Sequence, residues 1–239
     1  NISAEERALY YGERLAEVIR CKTVSKKDGF EAAEFLKLRE VIKKLFPLMT
    51  EKAELRILGD DAYLYKINGR DESRNVMVMS HHDVVDATGD WQEEPFAGVI
   101  KDGKLWGRGT VDTKTPLFAE FSAIEELLGE GFEFPVNTYL FSSHNEEYGG
   151  DGALLALDYF NENNIKFEWI MDEGGAIIDP PMAGISKRCA MMAVHEKGRC
   201  TAQLVASSKP GHAGLEGGHK TPVMRMVAFM AETDEKPPF

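Results

Sequence analysis

The sequence predicts an α/β fold, a mostly parallel central sheet flanked by helices, and three observations predict it. Apolar runs of strand length alternate with segments of helical periodicity. One run, Val76 to Met79, is apolar without a break, as expected of a strand covered on both faces. Three predicted strands end in polar clusters: His81-His82-Asp83, Asn145-Glu146-Glu147 and Asp172-Glu173. Ligand sites of parallel sheets lie at that end of the strands.

The elements follow in order. Ser3 with Glu6 forms a capping-box pattern that opens a helix running to about Ile19. Phe35, Leu38, Val41, Ile42 and Leu45 give residues 30–46 helical spacing. Residues 53–59 and 61–67 read as two strands joined at Gly59-Asp60, and "NVMVMS" as a third. Residues 98–107 read as a hairpin turning at Asp102-Gly103. Leu117, Phe121, Ile124, Leu127 and Leu128 mark a helix over 113–130, which Gly129 and Gly131 end. A strand at 136–143, a helix from about Gly152 to Asn163 and a strand at 167–172 complete the first unit. Beyond it, 189–208 reads as two strands and 221–232 as a helix. The expected division is 1–190 and 191–239. A second unit this short is marginal alone, so the chain reads as cut inside its second domain.

Composition narrows the function. Of 239 residues, 43% are hydrophobic and 28% charged, an ordinary globular balance. The net charge of −12 argues against nucleic acid, whose phosphates need a basic face. Cys21, Cys189 and Cys200 are too scattered for a disulfide framework and read as reduced packing residues. No apolar run approaches the ~18 residues that span a membrane. The N-terminal segment reads as an acidic amphipathic helix rather than a signal peptide. The expectation is a cytoplasmic protein without a membrane partner.

The three clusters, with Asp112 in "GRGTVDTK" (107–114), carry the chemistry. Carboxylates gathered in one crevice repel each other and stay ionised only around a cation. With imidazole among them, zinc is the natural ion; cobalt and manganese suit the same donors. A shared carboxylate would bridge two ions ~3.5–4 Å apart. His-x-Asp places a ring and its orienting acid on one side of an extended segment, which favours His81 over His82.

In order along the chain, "SHHDVV", "WQEEPFAGVIKDGKLWGRGTVDTK", "HNEEYGG", "MDEGG", "EKG" and "KPGHAG" resemble the zinc amidohydrolases and exopeptidases that include carboxypeptidase G, aminoacylase, carnosinase and acetylornithine deacetylase. Within that family the pattern is most similar to carboxypeptidase S and related N-acyl-amino-acid hydrolases. The resemblance implies a zinc-exopeptidase-like catalytic domain with an inserted α+β, ferredoxin-like lid, of which 191–239 would be a part. It implies two zinc ions. His81, Asp112, Glu147 and Glu173 would be metal ligands, with Asp112 bridging and Asp172 left open as an alternative to Glu173. Glu146 would be the general base and Asp83 the partner that orients His81. His212 would be the lid donor to the substrate, often supplied across a homodimer. The substrate would be a dipeptide, a C-terminal residue or an N-acyl amino acid, each with an amide beside a carboxylate.

Two departures stand out. Asn145 occupies a position where this family commonly has Asp. A late metal-ligand histidine and a substrate-holding lid arginine are absent from the sequence. A second reading is therefore a non-catalytic metal-binding or scaffold protein lacking the last ligand. A third, a different two-zinc aminopeptidase family, fits "GRGTVDTK" and "HNEEYGG" less well. Arg108 and Lys114 read as packing or salt-bridging residues.

Overall fold

A computed structural model describes residues 3–27, 29–180, 182–195, 201, 203–208 and 221–236. The chain divides into two compact units, Asn1–Ala190 and Met191–Phe239.

In the first unit α1 spans Ala4–Ile19, opened by the Ser3–Glu6 capping box, in which each side chain bonds the other's backbone N–H. A small hairpin, β1 (Ser25–Lys26) with β2 (Gly29–Phe30), follows. The amphipathic pattern expected over 30–46 becomes α2 (Ala32–Leu45); after a break at Phe46-Pro47 comes α3 (Pro47–Lys52), which that pattern does not cover. Proline fits the first helical turn because its missing N–H has no partner there. Then come β3 (Glu54–Leu58), β4 (Ala62–Ile67), β5 (Asp71–His81), the hairpin β6 (Val99–Lys101) and β7 (Lys104–Trp106), α4 (Lys114–Gly129) and β8 (Val136–Ser143). A 3₁₀ turn at Glu146–Tyr148 leads to α5 (Gly152–Glu162), β9 (Ile170–Met171) and β10 (Ala176–Ile178). β10 pairs with β11 (Cys189–Met191).

The α/β class holds. The central sheet has the order β3-β4-β8-β5-β9 and is mixed: β5 runs parallel to β8 and β9, while β3, β4 and β8 pair antiparallel. The short Gly59–Asp61 connection imposes the antiparallel β3–β4 pair. The parallel half, where β5 and β8 end side by side with His81 opposite Ser143, is the half that carries the polar clusters.

Period-two alternation divides the core between the two faces. Tyr63, Tyr65 and Ile67 of β4 face α1 to α4 and join Val18, Leu38, Ile42, Phe46, Phe121 and Leu140. Ala62 and Leu64 face α5 and pack with Met77, Tyr139, Phe141, Ala156 and Phe160. Phe121 stacks on Phe46 and meets Tyr65 edge-on, both at a centroid distance of 5.5 Å. β8 is buried at every position, which explains its uninterrupted central place in the sheet.

In the second unit α6 (Pro222–Glu235) is opened by Thr221, whose side chain accepts from Met224 N–H. Arg225 donates to the Ser207 carbonyl at 2.6 Å. Of the two strands expected over 189–208, the described residues hold only β11. No helix among the described residues is long and apolar enough to cross a membrane. Cys21 and Cys189 are free thiols, and Cys200 lies outside the described residues.

Removing the Phe121 ring leaves a cavity between helices and sheet. Phe121→Ala is expected to cost about 3–5 kcal/mol, the usual range for a buried Phe→Ala change. A urea denaturation series would register this as a lower midpoint, and a loss under 1 kcal/mol would contradict the packing described.

Candidate metal centre

β5 delivers two histidines to the end of the sheet, and they part ways. His82 turns into the core, fully buried and stacked on Tyr63 at 4.2 Å, with Nδ1 2.8 Å from Ser142 Oγ and Nε2 3.6 Å from Asp61. Burial holds its pKa below the ordinary histidine value, so it is neutral near pH 7. Asp61 is also bonded by Arg39 and by the Tyr63 hydroxyl. Ser142, His82 and Asp61 have the residue types of a nucleophile triad, but all three are buried, so no substrate reaches them.

His81 turns to the other side. Its Nδ1 lies 3.0 Å from the main-chain oxygen of Asp83 and 3.4 Å from that residue's carboxylate. The carbonyl is the closer acceptor and fixes the ring; the carboxylate adds charge. Nε2 then points into a ring of acids, 3.0 Å from Asp112, 3.4 Å from Glu173 and 3.7 Å from Glu146. Glu173 approaches the imidazole, and the Asp172 carboxylate accepts the Glu173 N–H at 2.8 Å.

Asp83 organises these acids from below. It is fully buried, and its carboxylate accepts the Ser25 hydroxyl at 2.5 Å and the N–H groups of Glu146 and Glu147 at 3.1 and 3.2 Å. A carboxylate from one segment thus caps the 3₁₀ turn of another. Burial alone would raise the Asp83 pKa, but the bonds from His81 and Ser25 outweigh it and hold the carboxyl below its ordinary range. The Ser25 contribution had no signal in the sequence, because a loop serine looks the same whether or not it meets a buried acid.

Asp112 stands in the loop before α4. Gly109, with φ +84°, lets that loop turn, and a Cβ there would lie 2.8 Å from Val84 Cγ1. Lys114 closes the loop and is fully buried; burial pushes its ammonium down to about 8. Its burial fits the packing half of the sequence reading, and its nitrogen bonds the main-chain carbonyls of Val18 and Cys21. Asn145 explains its own departure from Asp: Oδ1 accepts Gly152 N–H at 3.1 Å while Nδ2 donates to Asp151 at 3.0 Å. A carboxylate could make the first bond and not the second.

Two donor sets form around His81. One joins it to Asp112 and Glu147, the other to Glu146 and Glu173, with the ligand atoms of each set within 4.8 Å of one another. Among the described residues no lysine or arginine forms an ion pair with any of the four acids. Burial first, and then neighbouring acids, raise the pKa values of Glu146 and Glu147. Burial opposes the His81 imidazolium, yet Asp83, Glu173 and Glu146 together push its pKa up to about 9. One buried imidazole and four carboxylates without a lysine or arginine partner, oxygen and nitrogen donors only, fit a divalent cation. Beside them a pocket of about 200 Å³ is lined by Met79, Phe141 and Ala153. His212 lies outside the described residues.

The model of peptidase family M20/M25/M40 matches residues 77–233, well over half of the chain. The chain belongs to this family. It is 36% identical over 85% of its length to a probable carboxypeptidase S-like protein 2 of Dictyostelium discoideum, covering 41% of that protein. It is 32% identical over 98% of its length to the N-fatty-acyl-amino acid synthase/hydrolase of Homo sapiens, covering 47%. The chain therefore spans less than half the length of these curated relatives. Among solved structures, an M20 family metallo-carboxypeptidase from Sulfolobus solfataricus matches 75% of the chain and 39% of its own, with TM-score 0.54 at 26% identity. Human carnosine dipeptidase 1 matches 72% of the chain and 41% of its own, with TM-score 0.57 at 19% identity, a likeness of fold.

Because the fold depresses the Asp83 pKa, its stabilising contribution is complete above the unfolded value of about 3.9. It is lost as the pH falls through the lower folded value. Asp83→Asn is expected to lower the urea midpoint near neutral pH and to flatten the acid limb of the midpoint-versus-pH curve in metal-free protein. An acid limb identical to the wild type would remove Asp83 as its source.

Proposed function

We propose that the chain is the metal-binding part of a dinuclear zinc hydrolase that cleaves an amide bond next to a free carboxylate. The observation that carries this reading is the convergence of Asp112, Glu146 and Glu173 on Nε2 of a buried imidazole, with Glu147 in the adjoining donor set. Family membership supports metal-dependent hydrolysis. The relatives' names, a carboxypeptidase and an N-fatty-acyl-amino acid hydrolase, describe the same bond, an amide adjoining a carboxylate.

In this reading His81, Asp112, Glu147 and Glu173 would hold the ions, and Asp112 would be the shared ligand. Zinc bound there would supply a Lewis acid and lower the pKa of attacking water toward ~7. Glu146 acts as general base. Its raised pKa moves it toward the range in which a carboxylate can accept a proton and return it. It takes the proton of the attacking water and later delivers it to the leaving amine. Asp83 orients His81 through its carbonyl and holds the Glu146 backbone through its carboxylate. Residues 1–190 act as the catalytic part and 191–239 as part of the lid. His212 is the candidate donor to the developing oxyanion, and a homodimer through the lid would place such a donor over a partner's site. The chemical class of the substrate is a small peptide or an N-acyl amino acid.

A metal-binding protein without catalysis is the competing reading, and Glu146 separates the two. In the full-length protein Glu146→Gln should keep zinc and lose turnover of N-acyl amino acids or dipeptides by about 10²–10⁴-fold. His81→Ala should lose zinc. Wild-type turnover in Glu146→Gln would overturn the base assignment, and a wild type inactive across both substrate panels would favour the non-catalytic reading.

A further inference from the structure

Lys114 is a buried group that the proposed hydrolysis does not use. It is the first residue of α4 and its side chain is fully buried. Both circumstances are unfavourable for a lysine: burial removes its polar end from water, and a helix N-terminus disfavours positive charge. Among the described residues no carboxylate lies within ion-pair distance of its nitrogen. The compensation comes from main-chain oxygens. Nζ donates to Val18 O at 3.3 Å, in the last turn of α1, and to Cys21 O at 2.6 Å, just beyond it. Each carbonyl also takes a backbone N–H, Val18 O from Cys21 and Cys21 O from Thr23, so the lysine fills a second acceptor position on both.

The same side chain sits under the loop that carries Asp112. Lys114 N–H donates to Gly109 O at 2.9 Å, and a Cβ on Gly109 would lie 3.2 Å from Lys114 Cδ. The loop from Gly109 to Thr113 therefore closes over the lysine stem. Cys21, at the far end of that stem, begins the segment that runs beside residues 82–84, just after β5. Thr23 Oγ1 donates to His82 O at 2.5 Å, Val84 N–H donates to Thr23 O at 2.9 Å, and Ser25 bonds Asp83. Asp83 in turn holds the backbone of Glu146 and Glu147. One side chain thus connects the support of Asp112 to the support of Glu147, two acids of one donor set.

We propose that Lys114 is a positioning residue: by tying the Asp112 loop and the Cys21–Ser25 segment to the end of α1, it sets the spacing at which Asp112 and Glu147 share a metal ion. The inference rests on the dinuclear reading above. A methionine of similar length would fill the same space without holding either carbonyl, which separates positioning from packing.

Zinc titration calorimetry on full-length wild type and Lys114→Met tests this, with circular dichroism and the metal-free Tm as controls of fold. The expected result is an unchanged spectrum with zinc affinity at the Asp112–Glu147 set weakened by about 10–100-fold, the usual effect of removing a group that supports a ligand. Wild-type zinc affinities in Lys114→Met, with only the metal-free Tm lowered, would overturn the proposal and leave Lys114 a packing residue. A wild type that takes up no zinc would instead sink the metal reading itself. Should Lys114→Met not fold, acetic anhydride labelling of the wild type, read at Lys114 by mass spectrometry, decides. Zinc should slow labelling at least about tenfold, since the tie and the ion reinforce each other reciprocally; equal rates with and without zinc would overturn the proposal.

Discussion

The buried carboxylate of Asp83 joins three segments that are far apart in sequence. It receives the Ser25 hydroxyl from the segment after α1 and the N–H groups of Glu146 and Glu147 from the turn after β8, and its own backbone carbonyl faces the His81 ring. A buried carboxylate is costly unless its oxygens are fully bonded. The geometry of the site is the geometry that satisfies them. The turn that carries the two glutamates has no cap from its own Asn145, so its first N–H groups depend on Asp83. The ring orientation of His81 follows from the same residue, and with it the direction of Nε2.

That direction sets up an electrostatic conflict. Asp112, Glu146 and Glu173 meet at one nitrogen, and Glu147 stands in the adjoining set. Burial, and after it like charges this close, pushes carboxylates toward the protonated form, which is the direction in which Glu146 and Glu147 are displaced. A divalent cation would resolve the conflict. Away from the site the buried Asp61 is matched within the protein: it meets Arg39, Tyr63 and His82. The contrast between Asp61 with its arginine and a ring of acids without a lysine or arginine partner separates a structural polar cluster from a ligand-binding one.

Much of this was legible in the sequence, because strand ends and helix periodicity are local signals. The clusters at 81–83, 145–147 and 172–173 marked where β5, β8 and β9 deliver polar groups to one edge. His-x-Asp favoured His81, and the structure puts His82 in the core. What the sequence left open depends on contacts between distant residues. Ser25 looks like any loop serine until the fold brings it to Asp83. Lys114 read as a packing or salt-bridging residue, and its partners are carbonyls, which leave no trace in composition. The helical spacing read over 30–46 stops at Phe46, and the short α3 (Pro47–Lys52) beyond it carries no comparable apolar period. Asn145 registered as a departure, and only its bond to Asp151 shows why an amide serves there.

The claim beneath all of this is that the acids around His81 are stable together because divalent ions neutralise them. Elemental analysis of the full-length protein, purified without added metal and dialysed exhaustively, tests it most directly. Zinc, or cobalt or manganese in its place, retained at about two ions per chain is the predicted result. A correctly folded protein that retains no divalent ion, and takes none up on titration, would contradict it.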